Sequence, residues 1–220
     1  MASTNIEQAR FNMVEQQIRT WEVLDQGVLD LLYMVPREEF VPPALRTLAF
    51  MDMEIPIGEA ECMLPPKMEA RIVQELAVRK SDRVLEVGTG SGYLTALLAH
   101  RAAQVLSIEI KPQLAEFGRD NLSRHGMDNI VLETADASHG WQRNAPYDVI
   151  VLTGSTPVLP RTLLEQLAPG GRLFAIVGDA PVMVAHLFTC AQAGTCSGVA
   201  LFDTVVKPLV NAETPSRFDF

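Results

Sequence analysis

Cysteine is scarce in this chain, with only Cys62, Cys190 and Cys196 among 220 residues. So sparse and odd a set argues against a disulfide framework and for free thiols in a reducing, cytoplasmic setting. Positive charge is short as well. Eighteen Lys and Arg stand against 27 Asp and Glu, a net charge of −9, so a phosphate backbone is repelled and nucleic acid is not an expected partner. Long apolar runs are missing: nothing approaches the roughly 20 continuous apolar residues that a membrane helix needs. Met1 to Arg19 interleaves Asn5, Glu7, Gln8, Arg10, Asn12, Glu15 and Gln16 with apolar positions and has no apolar core of a secretory signal. The four histidines share no ligand spacing with the cysteines, so no metal site is expected. Apolar residues are abundant, at 48% of the chain, enough at this length for one full core.

The periodicity of those residues changes along the chain. Ile6, Ala9, Met13, Val14 and Ile18 recur at three-to-four spacing and predict an amphipathic helix over 5–18, with Thr4 as its cap. Val23, Leu24, Val28, Leu31 and Leu32 predict a second helix over 25–34, which Pro36 stops. Pro42, Pro43, Pro56, Pro65 and Pro66 then crowd a stretch expected to be irregular and to border a site. Helical spacing returns with Met68, Ile72 and Leu76. From Arg83 onward, short apolar runs (83–87, 105–108, 130–134, 148–153, 172–177) alternate with helical patterns (93–101, 112–125, 160–167). Strands apolar on nearly every residue are buried on both faces, as in a parallel sheet between helix layers. The expected class is therefore α/β, a doubly wound, mostly parallel sheet with an N-terminal helical cap. Apolar stretches at 182–189 and 199–206 are expected to close it as a strand pair. The chain divides by role into a helical and proline-rich region, 1–80, and an α/β domain, 81–220, within one compact unit.

The most informative stretch runs from Val84 to Tyr93, an apolar strand entering a glycine-rich turn and then a helix. A dinucleotide fingerprint places its third glycine three residues beyond the second; here that position is Tyr93, and the pattern is G-x-G-x-G over Gly88, Gly90 and Gly92. Glu86, two residues before Gly88, would repel a pyrophosphate but suits a ligand with ammonium and sulfonium groups. S-adenosylmethionine is such a ligand, and a nicotinamide oxidoreductase is disfavoured by the same two residues. Glu109 closes the second strand, where an acid can accept the hydroxyls of a ribose, and Asp136 follows the third, placed for an adenine amino group. Alone, each carboxylate reads as a solvated strand end or a cap. In order, on one sheet edge, they specify a nucleoside cofactor.

These residues carry a family resemblance. The run Arg83 to Tyr93 resembles motif I of class I S-adenosylmethionine-dependent methyltransferases, in the form used by protein-L-isoaspartate O-methyltransferases. Asp136-Ala137-Ser138-His139-Gly140-Trp141 is similar to that family's Gly-Asp-Gly-x-x-Gly-Trp, Pro146-Tyr147-Asp148 to its Pro-Tyr-Asp strand, and Leu163 to Leu173 to its Leu-x-x-Gln-Leu-x-x-Gly-Gly-Arg-Leu element. Arg37 to Pro42 resembles its R-x-x-F-V-P turn, and Val205 to Leu209 its V-x-x-P-L strand. The resemblance spans about Ile6 to Val210. It implies a Rossmann-like methyltransferase fold and cofactor contacts from Glu86, Gly88, Thr89, Gly90, Gly92, Tyr93, Glu109, Ile110, Asp136 and Ala137. The acceptor it implies is an isoaspartyl carboxylate on a damaged peptide or protein.

The departure lies in the acceptor loop. Where the family reads Pro-Ile-Gly-His-Gly-Gln-Thr-Ile-Ser-x-Pro, this chain reads Pro56-Ile57-Gly58-Glu59-Ala60-Glu61-Cys62-Met63-Leu64-Pro65-Pro66. Leu64 takes the position of the family serine, and Glu59, Glu61 and Cys62 complete the set of candidate catalytic positions. Leucine donates no hydrogen bond, and the two glutamates repel an incoming carboxylate. An alternative follows: the same fold with an acceptor that needs deprotonation, for which Glu59 or Glu61 would be the base if burial raised its pKa. A non-catalytic S-adenosylmethionine-binding protein is the remaining reading. Cys62 reads as a small apolar residue whose thiol Glu61 pushes upward. Arg217, beside Phe218, is a candidate cation for the acceptor carboxylate if the tail packs back.

Overall fold

The computed structural model describes residues 2–192 and 195–214, so Gly194 and the tail cation Arg217 lie outside the described residues. In chain order the elements are α1 (Ala2–Asn12), α2 (Gln26–Met34), β1 (Ile55–Gly58), β2 (Glu61–Met63), α3 (Pro66–Leu76), β3 (Arg83–Val87), α4 (Tyr93–Ala99), β4 (Gln104–Glu109), α5 (Pro112–Arg124), β5 (Ile130–Thr134), β6 (Tyr147–Thr156), α6 (Arg161–Glu165), β7 (Leu167–Asp179), β8 (Val182–Gln192) and β9 (Thr195–Thr204). Their boundaries follow local chemistry. The Asp25 side chain caps α2 by accepting from the Val28 N–H at 3.0 Å. Pro66 and Pro112 open α3 and α5, where a missing N–H costs nothing.

Seven strands form one sheet in the order β5-β4-β3-β6-β7-β8-β9. The pairings from β5 to β7 are parallel, and β8 and β9 extend the sheet antiparallel. Between β3 and β6 the strand order reverses direction, the place where open α/β sheets bind ligands. Alternation along the strands sends Val84, Val105, Val149, Val151 and Phe174 to one face and Leu85, Leu106, Ile150, Leu152 and Leu173 to the other. The first face packs on the N-terminal region through Met13, Val14, Ile18, Ile55 and Ile72 in one continuous cluster. Arg172 adds a polar tie to that region: its guanidinium donates to the Leu76 and Ala77 carbonyls at 2.5 and 2.7 Å and to Asp82 at 2.6 Å.

Four expectations are corrected. The first helix does not run on to residue 18 as regular α-helix, because α1 passes into one wide π-turn over Met13–Ile18, and Thr4 lies inside α1 rather than capping it. The proline-rich stretch is not wholly irregular: β1 and β2 pair as a hairpin within it, since Pro56 and Gly58 alternate with buried Ile55 and Ile57 at period two. Cys190 and Cys196 are not free thiols. They are register partners on β8 and β9 and form a disulfide, a pairing that counting cysteines cannot detect, so the cysteine argument for a reducing compartment lapses. The V-x-x-P-L segment is not a full strand; it meets β6 through a single bridge, Ser155 to Pro208.

Candidate active site

A cleft, open at its mouth, lies against the C-terminal ends of β3, β4 and β6, where open α/β sheets bind ligands. Its floor is the glycine turn after β3. Gly88 adopts φ +96°, and a Cβ there would stand 2.2 Å from the Thr153 hydroxyl, which donates to the Val87 and Gly88 carbonyls at 3.0 and 2.8 Å. Only glycine lets the two strand ends approach so closely. Glu109 is buried beside this turn and braces it, one carboxylate oxygen accepting from the Gly90 N–H at 2.9 Å and the other from the Lys111 N–H at 3.0 Å.

Asp136 faces the same cleft. It accepts from the Ser138 N–H at 2.9 Å and from the Asn211 side chain at 2.7 Å. Burial pushes its carboxyl upward, but these bonds outweigh burial and hold it below its usual range. The loop carrying Asp136 is locked by contacts between motifs distant in sequence. The Gln166 side chain accepts from the Trp141 N–H at 2.8 Å, and the Tyr147 hydroxyl donates to the Trp141 carbonyl at 2.8 Å. Gly140 adopts φ +101°, a conformation that favours glycine, and an added Cβ would also lie 2.6 Å from the Gln166 amide.

One wall of the cleft is the β1–β2 hairpin. Ile57, Glu61, Cys62, Met63 and Leu64 line it, while Glu59 sits exposed at the turn. Glu59 and Ala60 both take positive φ, 52° and 57°, the geometry of a type I′ turn, here without the usual Asn-Gly. Two lysines hold its carbonyls. Lys111 Nζ donates to the Glu59 carbonyl at 2.6 Å and Lys207 Nζ to the Ala60 carbonyl at 2.7 Å. Both ammoniums also meet Glu61 Oε1, Lys207 at 2.8 Å and Lys111 in a shorter contact. Burial raises the Glu61 carboxyl, but the two lysines dominate and keep it below its ordinary range, the opposite of what a general base requires. Cys62 is pushed up to about 12, by burial first and then by the Glu54 and Glu61 carboxylates, so its thiol is inert.

Behind the hairpin, the fully buried Arg37 guanidinium donates to the Ala49 carbonyl at 2.9 Å, to the Leu64 carbonyl at 2.6 Å and to the Glu69 carboxylate. Leu64 thus contributes its carbonyl to the scaffold and its apolar side chain to the cleft wall.

Of the residues expected from sequence, Gly88, Thr89, Gly90, Glu109, Ile110, Asp136, Ala137, Glu61, Cys62 and Leu64 converge on the cleft. Glu86, Gly92 and Tyr93 do not line it. Tyr93 is buried under Phe40 and Arg37. Glu86 points into the core, where Oε2 accepts from Thr95 at 2.5 Å and from Ser107 at 2.6 Å, and Oε1 has no partner among the described residues. Burial drives its carboxyl up to about 7, against the two hydroxyl bonds. An acid raised on folding stabilises the fold fully below its unfolded pKa of about 4.5 and loses that contribution as pH rises through about 7. The stability of wild type relative to Glu86→Gln is therefore expected to fall by on the order of 3 kcal/mol from about pH 5 to about pH 8. Denaturant midpoints across that window check it, and a gap independent of pH would refute the assignment.

Lys111, Lys207, Thr153 and Asn211 line or close the cleft and were not singled out by motif. Lys111 stands two residues after Glu109 and Lys207 inside the V-x-x-P-L segment, so adjacency to recognised elements was the available signal. Among the described residues no group of three His, Cys, Asp or Glu side chains is placed to hold a metal ion.

The glycine turn, the two acceptor carboxylates and the apolar walls of Leu94, Ile108, Leu114 and Leu209 form a lining suited to a nucleoside with a cationic arm. Known proteins are consistent with that reading. A family model described as protein-L-isoaspartate(D-aspartate) O-methyltransferase matches residues 8–213. The protein-L-isoaspartate O-methyltransferase of Methanoculleus marisnigri is 44% identical over 169 residues, 77% of each chain. Protein-L-isoaspartate O-methyltransferase 1 of Syntrophobacter fumaroxidans is 42% identical over 175 residues, 80% of this chain and 82% of its own. In fold, the chain is similar to a Plasmodium falciparum protein-L-isoaspartate O-methyltransferase crystallised with S-adenosyl-L-homocysteine, with a TM-score of 0.78, 21% identity, and coverage of 90% of this chain and 97% of that one. A match over nearly the whole length, joined to a cleft built from the same motifs, means that this chain belongs to the protein-L-isoaspartate(D-aspartate) O-methyltransferase family.

Proposed function

We propose that the protein is an S-adenosylmethionine-dependent O-methyltransferase that methylates the carboxylate of isoaspartyl residues in damaged proteins. The observation carrying this reading is the chemistry of the cleft wall. Glu61 is held ionised by two lysines and the Cys62 thiol stays protonated, so the wall offers neither a poised base nor a nucleophile. Such a wall suits an acceptor that is already ionised at neutral pH. A carboxylate meets that condition; a phenol, an amine or a thiol does not. The cofactor, when bound, supplies the electrophilic methyl group. The chain's own residues hold it and orient the acceptor: Glu109 and Asp136 face the nucleoside, the Gly88 to Gly90 turn allows close backbone approach, and Leu64 and Met63 exclude water. Positioning of this kind is a sufficient source of rate when both reactants are already activated.

Residues 1–80 supply the acceptor wall in this proposal and residues 81–220 the cofactor site, a division of role across one shared core. Among the described residues no helix is long and apolar enough to cross a membrane.

The test is transfer of labelled methyl from S-adenosylmethionine to an isoaspartyl peptide and to its normal aspartyl counterpart. Selective labelling of the first is expected. Cofactor binding with equal or absent labelling of both peptides would sink the proposal and leave the other-acceptor and binding-protein readings.

A further inference from the structure

Lys111 and Lys207, the only cations lining the cleft among the described residues, converge on one carboxylate oxygen of the chain's own Glu61. All three side chains keep access to solvent, with relative exposures of 22% for Lys111, 43% for Lys207 and 21% for Glu61. Two ammoniums against one carboxylate leave the cluster with a surplus positive charge at the mouth of a cleft otherwise rich in acids. Each lysine has a second anchor that does not depend on Glu61, the carbonyls of Glu59 and Ala60. With three N–H donors apiece, the lysines stay in place if the Glu61 carboxylate leaves, and both then present donors to whatever anion arrives.

We propose that Lys111 and Lys207 form the anion subsite for the acceptor carboxylate, and that Glu61 is a built-in stand-in which the substrate carboxylate displaces. The proposal rests on the isoaspartyl reading above and deepens it. It answers the difficulty raised by the loop sequence, where Leu64 donates nothing and Glu61 is repulsive: the repulsive group is neutralised until a carboxylate of the same kind replaces it. Glu61 thereby acts as a filter. A neutral peptide gains too little from the lysines to break the existing ion pairs, whereas a carboxylate exchanges one ionic set for another. Lys111 and Lys207 touch the acceptor and set specificity; Glu61 is a positioning residue that acts through them.

The alternative role for the triad is mechanical, pinning the turn at Glu59 and Ala60. The two roles predict different signs. If the triad only pins the hairpin, Glu61→Gln and Lys207→Met both loosen it and both raise KM. If Glu61 competes with the acceptor, Glu61→Gln lowers KM for an isoaspartyl peptide by about 5- to 10-fold while Lys207→Met and Lys111→Met raise it by about as much, with kcat within about twofold in all three. Lys207→Arg, which keeps the charge, is expected to stay near wild type. The binding arm uses a peptide with blocked termini whose sole carboxylate is the isoaspartyl one, and a neutral isoasparaginyl control, each titrated in the presence of S-adenosylhomocysteine. Wild type is expected to favour the carboxylate peptide by about tenfold, Glu61→Gln to widen that preference and Lys207→Met to abolish it. KM shifts of the same sign in Glu61→Gln and Lys207→Met, or equal binding of the two peptides by wild type, would overturn the subsite. If wild type transfers no methyl to the isoaspartyl peptide, the activity reading falls instead, and the binding arm still decides the fate of the subsite.

Discussion

Replacing Arg37 with methionine is expected to lower the unfolding free energy by about 3–5 kcal/mol, the range seen when one partner of a buried ion pair is removed. The whole stability of a domain is about 5–15 kcal/mol, so this single change removes a large share. Three contacts vanish together: the Ala49 carbonyl at 2.9 Å, the Leu64 carbonyl at 2.6 Å and the Glu69 carboxylate. Burial brings the guanidinium down to about 10, still far enough above neutrality for it to be charged in the native state. Without it, Glu69 is a buried carboxylate with no counter-charge and must take up a proton or draw in water. For a chain of this size the melting temperature should drop by roughly 6–20 °C. Lysine is expected to rescue little, since one ammonium cannot span two carbonyls and a carboxylate set around a planar fork. The Arg37→Met, Glu69→Met double variant should cost less than the sum of the two singles, because each single strands the other's charge. A shift below about 1 kcal/mol in denaturant unfolding would mean that the pair does not brace the hairpin wall of the cleft.

That brace shows what was legible in the sequence and what was not. The sheet was legible because its strands are apolar on nearly every residue: Arg83–Val87 and Ile130–Thr134 match their expected spans. The cofactor side was legible for a related reason. Gly88, Glu109 and Asp136 sit at strand ends, and a parallel sheet delivers strand ends to one edge. The acceptor side was not. Its geometry comes from contacts 27 to 147 residues apart, such as Arg37 to Leu64 and Lys207 to Ala60, and no local period encodes them. Glu86 failed for a subtler reason. Alternation along β3 turns Glu86 with Val84 to the face opposite Leu85 and Val87, away from the cleft, and the partners it meets there, Thr95 and Ser107, lie on other elements. The disulfide failed likewise, since Cys190 and Cys196 become neighbours only through the β8–β9 register.

Glu109 is where the two halves of the site depend on each other, and its removal should produce the largest loss of cofactor affinity. Glu109→Ala is expected to weaken S-adenosylhomocysteine binding by about 100-fold or more in calorimetry. The carboxylate does two jobs. It accepts the Gly90 and Lys111 N–H groups at 2.9 and 3.0 Å, fixing the glycine turn and the backbone from which the Lys111 side chain reaches the hairpin. Its remaining lone pairs face the cleft and are the acceptors proposed for the ribose hydroxyls. Hydrogen bonds to a charged group contribute about 1.5–3 kcal/mol each, so the loss of two gives roughly 3–6 kcal/mol, a factor of about 100 or more. Asp136→Asn should cost less, about tenfold, because the amide oxygen can still accept from the Ser138 N–H while the charge and the bond from the Asn211 side chain are lost. If Glu109→Ala binds within about threefold of wild type while Asp136→Asn is the weaker binder, the ribose belongs to another residue and Glu109 is a brace for the turn alone. If the expected order holds, the same carboxylate that grips the cofactor also positions Lys111, and filling the cofactor site and presenting the acceptor subsite become one structural event.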